Sequence, residues 1–183
     1  MRDDVLKILP VEPAMWAEFE ELFEERGGPK SCWCMVWRDY ARTSDVKDKT
    51  ARKSGMRDRI VSGQKVGLMG FLGGEAIAWC SVAPRRSFKK SLDRIAPPDD
   101  CDAWSLTCLF IKRAHRGKGL SAKLIEAAVH YAQSQGATTL DAYPVDAESP
   151  SYRFCGCKPQ FDSRGFETVG AVGSRRYLVR RML

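Results

Sequence analysis

Apolar positions along the chain change their period several times, and each change marks a candidate element. Val5 to Leu9 is a short apolar run of strand length. Pro13 then suits a first helical position, Trp16, Phe19 and Phe23 recur at helical spacing, and Gly27-Gly28 supplies a stop. A second helix is expected from a cap at Thr43 or Ser44, carrying Val46, Met56 and Ile60 and ending near Gly63, with Gly55 weakening its middle. Residues 66–72 and 75–82 flank Gly73-Gly74, a pair that tolerates positive φ at both centres of a tight hairpin turn. Trp104, Leu106, Cys108 and Phe110 then alternate along a strand that reaches Ile111. After an eight-residue connection, Leu120, Leu124, Ala128 and Tyr131 recur on one helical face as far as Gln135. Gly136 ends that helix before a further strand over 138–143. Strand, helix and strand in this order form a βαβ unit, so the two strands should be parallel neighbours.

The remainder is less periodic. Residues 144–160 are rich in Pro, Gly and Ser around Tyr152 and Phe154, which predicts a loop with at most a short helix. Residues 165–169 and 176–182, separated by Gly170 and Gly173, read as a closing antiparallel hairpin. The fold class is therefore α/β (α+β), without repeats or an evident linker. A chain of 183 residues suffices for a single domain over 1–183 that buries roughly 70% of its unfolded surface.

Composition narrows the partners. With 44% hydrophobic and 29% charged residues the chain resembles ordinary globular material, and no apolar run has the length of a membrane helix. The start, Met1-Arg2-Asp3-Asp4-Val5, lacks the apolar core of a secretion signal, so a cytoplasmic location is expected. Seven cysteines, at 32, 34, 80, 101, 108, 155 and 157, are odd in number and do not form a secreted disulfide framework. Cys32/Cys34 and Cys155/Cys157 have one intervening residue where structural zinc sites use two to four, so no metal is expected. Cys80 and Cys108 read as small core residues. The net charge of +7 favours an anionic partner: a nucleotide-like cofactor, nucleic acid or an acidic membrane. The densest basic groups, 113–118 and 175–181, alternate with apolar positions, which fits solvated faces and one local site better than a nucleic-acid tract.

That local site is Arg116-Gly117-Lys118-Gly119-Leu120-Ser121, between the apolar strand and the amphipathic helix. Its glycines allow close backbone approach, the helix start offers free N–H groups with partial positive charge, and Arg and Lys add full charges. Such a turn can hold a pyrophosphate; a basic loop that merely ends in glycine is the alternative. The hexapeptide resembles the Arg/Gln-x-x-Gly-x-Gly/Ala signature of the GNAT superfamily of acyl-CoA-dependent N-acyltransferases. The preceding hairpin and the late Gly165-Phe166 pair extend the resemblance over most of the chain. Cys32-Trp33-Cys34-Met35-Val36-Trp37-Arg38, with Tyr143-Pro144-Val145-Asp146, resembles one bacterial branch of that superfamily.

The resemblance implies a mixed, mostly antiparallel sheet of six to seven strands with a central parallel βαβ unit and flanking helices. It also implies acetyl-CoA as co-substrate. Leu109, Phe110 and Ile111 would then present strand backbone to the pantetheine arm, and the amides of Arg116, Gly117, Lys118, Gly119, Leu120 and Ser121 would hold the pyrophosphate. Arg113, Lys118 and Lys123 are candidates for the nucleotide phosphates. The acceptor implied is the primary amine of a small molecule, attacking the thioester directly in a ternary complex, with a homodimer left open. Neither a membrane nor nucleic acid is expected as partner.

Such a reaction needs base, oxyanion-donor and acid functions. Many family members place an acid tyrosine four residues before the Gly-Phe pair, where this chain has Phe161. Tyr143 and Tyr152 are replacement candidates, or structural residues. For the base, family positions eleven and nine before Arg116 are Ser105 and Thr107, which can order a water. Asp99, Asp100 and Asp102 can serve a cationic amine, although a solvated turn explains them too. His115, beside the turn, and His130, beside the helix's apolar face, are weaker candidates. Trp33 and Trp37, with Met35 and Tyr40, can wall an acceptor pocket or simply pack a helix connection. Cys34 or Cys108 as covalent nucleophile finds no histidine nearby in sequence. A non-catalytic module binding acyl-CoA or nucleic acid through the same turn is the second class of function, with Phe161 as its support.

Overall fold

The computed structural model describes residues 5–39, 49–92 and 102–183. Seven strands build one sheet: β1 (Lys7–Pro10), β2 (Leu68–Leu72), β3 (Glu75–Pro84), β4 (Ala103–Ile111), β5 (Thr139–Ala142), β6 (Glu167–Val172) and β7 (Arg176–Met182). They lie in the order β1-β2-β3-β4-β5-β7-β6. Only β4 and β5 are parallel; every other neighbouring pair is antiparallel. The helices are α1 (Trp16–Glu24), α2 (Lys49–Val61), α3 (Leu120–Ser134) and α4 (Lys158–Asp162). The parallel pair and the connecting α3 are the expected βαβ unit.

Several boundaries differ from the sequence pattern: β2 starts at Leu68, β3 runs on to Pro84 and β5 spans only Thr139–Ala142. Val5 lies outside β1 and is exposed, since the strand's pairing to β2 begins only at Lys7. β6 runs through Gly170 to Val172, because a register shift against β7 leaves Val169 as the extra residue and keeps Gly170 paired with Leu178; the turn is made at Gly173, with φ +67°. Residues 144–160 carry a short 3-10 turn (Arg153–Cys155) and are anchored by isolated bridges from Val145 to Cys157 and to Arg176. The candidate caps Thr43 and Ser44, together with Val46, lie outside the described residues.

Apolar side chains fill both faces of the sheet. On one face α3 places Leu124, Ile125, Ala128, Val129 and Ala132 against Ile77, Leu106, Leu140 and Val179, with Phe161 and Phe166 closing the layer. On the other, α1 and α2 bring Phe19, Leu22, Phe23, Met56 and Ile60 onto Met69, Trp79 and Cys108. Each such side chain contributes about 1.5–3 kcal/mol by leaving water. Among the described residues no helix is long and apolar enough to cross a membrane.

β4 carries the feature that shapes the site. Its register against β3 shifts so that Cys108 faces Ser81 and Leu106 faces Val82, leaving Thr107 as the extra residue of a bulge. A single alternation would put residues 104, 106, 108 and 110 on one face. The bulge instead sends Trp104 and Leu106 to the α3 side, and Cys108 and Phe110 to the α1/α2 side. Beyond Leu106, paired with Ala142, β4 and β5 separate, so residues 107–111 have no strand partner on that side.

Candidate active site

The fork between β4 and β5 opens beneath the glycine turn. After β4, a 3-10 turn (Arg113–His115) leads to Gly117 at φ +74° and Gly119 at φ +73°, both left-handed. Gly119 is the N-cap of α3 and no side chain caps that end. Lys123 N–H finds the Gly119 carbonyl at 3.4 Å, while the N–H groups before it on the first turn have no carbonyl one turn back. A Cβ on either glycine would meet no atom within 4 Å. The turn therefore presents open backbone at the positive end of a helix, a setting that favours an anion.

Arg116 Nε donates to the Ile111 carbonyl at 2.8 Å, clipping the turn to the end of β4. The side chains of Arg113, Arg116, Lys118 and Lys123 are exposed beside it. Ser121 Oγ accepts from Gln160 Nε2 at 2.8 Å, tying the start of α3 to α4. Between them lies a cleft of about 350 Å³, with Leu109, Phe110 and Ile111 on one wall and Arg116 and Ser121 at one end. Arg153, Phe154, Gly156, Cys157 and Gln160 form the facing wall. This wall comes from the segment that sequence periodicity could not resolve. Its signal was the left-handed Gly156 (φ +85°), whose Cβ would lie 2.7 Å from Phe161 Cε2 and 3.3 Å from Leu109 Cδ1.

Phe161 is fully buried, edge-on to Phe166 with ring centroids 5.2 Å apart, so the acid position of the family is an apolar packing residue here. Tyr143 is also fully buried, and its hydroxyl meets Ser105 Oγ at 3.1 Å across the closed end of the fork. Thr107 Oγ1 donates to Ser81 Oγ at 3.0 Å. Tyr152 stands apart from that pair, left-handed at φ +58° and half-exposed. Its ring faces the Arg176 guanidinium at 5.4 Å, which also lies 4.4 Å from the Trp37 ring and 6.0 Å from that of Tyr143.

The two tryptophans part company. Trp37 joins Tyr143 and Tyr152 around Arg176, whereas Trp33 is buried in a stack with Trp16, Phe19 and Phe23. The free edge of Trp33 lines a separate depression with Glu24, Lys30 and Lys53. His115 lines a further depression with Arg113, away from the fork, and His130 is exposed on α3. Asp102 is exposed at the start of β4; Asp99, Asp100 and Tyr40 lie outside the described residues. Sequence reasoning missed Arg38 and Arg176, buried cations that no local period marks.

Residues 14–156 match the model of the acetyltransferase (GNAT) family. A search of curated proteins found no significant match. Among solved structures, an acetyltransferase from Thermus thermophilus superposes with TM-score 0.61 at 17% identity, covering 100% of each chain. An N-acetyltransferase from Thermoplasma acidophilum, in complex with coenzyme A, gives 0.58 at 14% identity over 98% of this chain and 99% of its own. A Salmonella typhimurium protein solved with acetyl-CoA as its cofactor gives 0.57 at 17% identity over 98% and 94%. These likenesses carry the fold, and the family model carries the chemistry: the chain belongs to the acetyltransferase (GNAT) family and is an acyltransferase of the acetyl-CoA-dependent N-acetyltransferase type.

Proposed function

We propose that the enzyme acetylates the primary amine of a small molecule, the amine attacking acetyl-CoA directly within a ternary complex. The observation that carries this reading is the junction of an uncapped helix start, two left-handed glycines facing open space and a β4 edge freed of its partner. When bound, acetyl-CoA supplies an acyl group already activated as a thioester. The backbone of Leu109, Phe110 and Ile111 lies along the unpaired edge of β4 and suits a pantetheine amide arm, with the Ile111 carbonyl already taken by Arg116. The amides of residues 117–121 suit the pyrophosphate, that of Arg116 being bonded to the Arg113 carbonyl, and Arg113, Lys118 and Lys123 add charge for the remaining phosphate.

At the acyl end, Ser105 and Tyr143 are the hydroxyl pair best placed to move protons, because their bond spans the fork where the strands last meet. Phe161 has no proton to give. Trp37, beside Arg176, suits a wall of the acceptor pocket. The Cys32 to Arg38 segment, which carries Trp37, fits membership of one bacterial branch, within a single domain over residues 1–183. The test is an amine panel screened by release of free CoA thiol. Acetylation of small primary amines is expected; turnover confined to protein N-termini, or none with any amine, would overturn the acceptor assignment.

A further inference from the structure

On the sheet face that carries α1 and α2, three separated parts of the sequence meet around one sulfur. Cys34 follows Trp33 in a short left-handed stretch, with φ +53° and +47°. Trp79 Nε1, from β3, donates to Cys34 Sγ at 2.9 Å. Cys108, delivered to this face by the β4 bulge opposite Ser81, packs in the same cluster as Cys34 and Trp79. Cys34 itself is partly exposed.

Beside it, Arg38 is fully buried, with its guanidinium 4.2 Å from the Phe88 ring centroid. One terminal nitrogen donates to the Val66 carbonyl at 3.0 Å and to Ser81 Oγ at 3.3 Å, and its Nε has no partner. No carboxylate among the described residues lies within ion-pair distance of it. A buried cation without an anion is costly, and the sulfur of Cys34 is the neighbouring group able to supply one. The electrostatics agree. The hydrogen bond from Cys108 leads in holding the Cys34 thiol below its ordinary value against burial, with Trp79, Arg38 and Ser81 assisting. The same bond, followed by burial, raises Cys108 well above the ordinary value. Burial pushes Arg38 down to about 10, with Cys34 opposing, so it remains a cation at neutral pH.

We propose that Cys34 and Cys108 form an oxidation site whose substrate is a hydroperoxide. The Cys34 thiolate attacks the terminal peroxide oxygen, the O–O bond breaks, and the departing alkoxide or hydroxide takes a proton from solvent. Cys34 is left as a sulfenic acid. The Cys108 sulfur then attacks the Cys34 sulfur, forming the S–S bond and releasing water; the two sulfurs lose two electrons and the peroxide gains them. The unpartnered Arg38 Nε–H can stabilise the charge that develops on the departing oxygen. The resulting bond ties the loop carrying Trp37 to β4 at the residue preceding Leu109, where the cofactor cleft begins.

The test uses the full chain, reduced, exposed to hydrogen peroxide, then denatured with a thiol-blocking maleimide. Before blocking, the intact mass should be about 2 Da lower; after it, two of the seven thiols should carry no maleimide, and peptide mapping should join Cys34 to Cys108. Dithiothreitol should restore both. In Cys108→Ser, which leaves the nucleophile in place, Cys34 should stop at a sulfenic acid trapped by a cyclic dione. Arg38→Met should slow Cys34 oxidation by about tenfold. Seven blockable thiols after peroxide, a bond from Cys34 to Cys32 or Cys155, or oxidation of Cys34 no faster than that of the likewise partly exposed Cys157 would each overturn the proposal.

Discussion

Replacing Gly119 by alanine separates the shape of the turn from its contacts. The residue holds φ +73°, and a methyl group there meets no atom within 4 Å, so the cost to the empty fold is backbone strain alone. A left-handed non-glycine residue costs about 1–2 kcal/mol, and the stiffer unfolded chain returns about 0.4–1 kcal/mol. The net loss is on the order of 1 kcal/mol, or about 2–4 °C in Tm for a chain of this size. The cost to binding is larger, because the methyl group occupies the space in front of the α3 amides. Losing two charge-assisted hydrogen bonds at about 1.5–3 kcal/mol each gives about 3–6 kcal/mol, a weakening of roughly 10²–10⁴. Gly136 supplies the control: it is left-handed at φ +81°, equally open, and lies at the far end of α3. Titration calorimetry with CoA should give wild-type affinity for Gly136→Ala and no measurable binding for Gly119→Ala. CoA at a hundred times its wild-type Kd should stabilise the wild type and Gly136→Ala by about 2.7 kcal/mol, and Gly119→Ala by at most about 0.4 kcal/mol. Affinity of Gly119→Ala within threefold of wild type, or an equal loss in Gly136→Ala, would refute this role for the turn.

Tyr143→Phe should lower kcat by about 10²-fold and flatten one limb of the pH–rate profile while leaving CoA affinity unchanged; a Tm loss with unchanged kcat would make the hydroxyl purely structural. Trp33→Ala should destabilise by about 3–5 kcal/mol, because the ring is buried among three aromatics. Trp37→Ala should instead raise the KM for the amine, and the reverse pattern in urea unfolding and steady-state kinetics would misassign both. Ultraviolet thiolate absorbance of wild type minus Cys34→Ser should titrate with a midpoint below the ordinary cysteine value of about 8.5, and Arg38→Met should move it upward. Because the folded value lies below the unfolded one, the thiolate's stabilisation is present above the unfolded value and is lost as pH falls through the folded value. The stability advantage of wild type over Cys34→Ser should therefore grow as pH rises through that window, and a midpoint at or above the ordinary value would sink the thiolate assignment.

How much of this was legible in the sequence depended on the range over which the determining contacts act. The βαβ unit and its turn were readable because every cue is local: an apolar strand, two glycines, then a face repeating through Leu124 and Ala128 to the stop at Gly136. The cleft's second wall was not, since residues 144–160 gain their shape from Val145 bridging both Cys157 and Arg176, partners from two directions. Gly170 misled for the opposite reason, a local breaker overruled by the register of its partner strand.

The β4 bulge is the decisive case. One extra residue, Thr107, reverses which side chains face which layer, and period-two reading cannot detect it because the composition on both sides remains apolar. Without it Cys108 would point with Leu106 into the α3 layer, and Cys34 would lose its thiol donor. With it, the sequence reading of Cys108 as a filler of the core is true of its burial but incomplete in its chemistry. The residue sits opposite Ser81 and packs in the cluster that holds the Cys34 sulfur. The same shift leaves Leu109 and Ile111 facing the α3 side, at the cleft, so one inserted residue sets both the cofactor wall and the sulfur pair behind it. Deleting Thr107 should therefore damage the two together: CoA affinity and peroxide-driven disulfide formation should fall in parallel in a chain that circular dichroism shows still folded. Loss of one with retention of the other would mean that the bulge does not couple them.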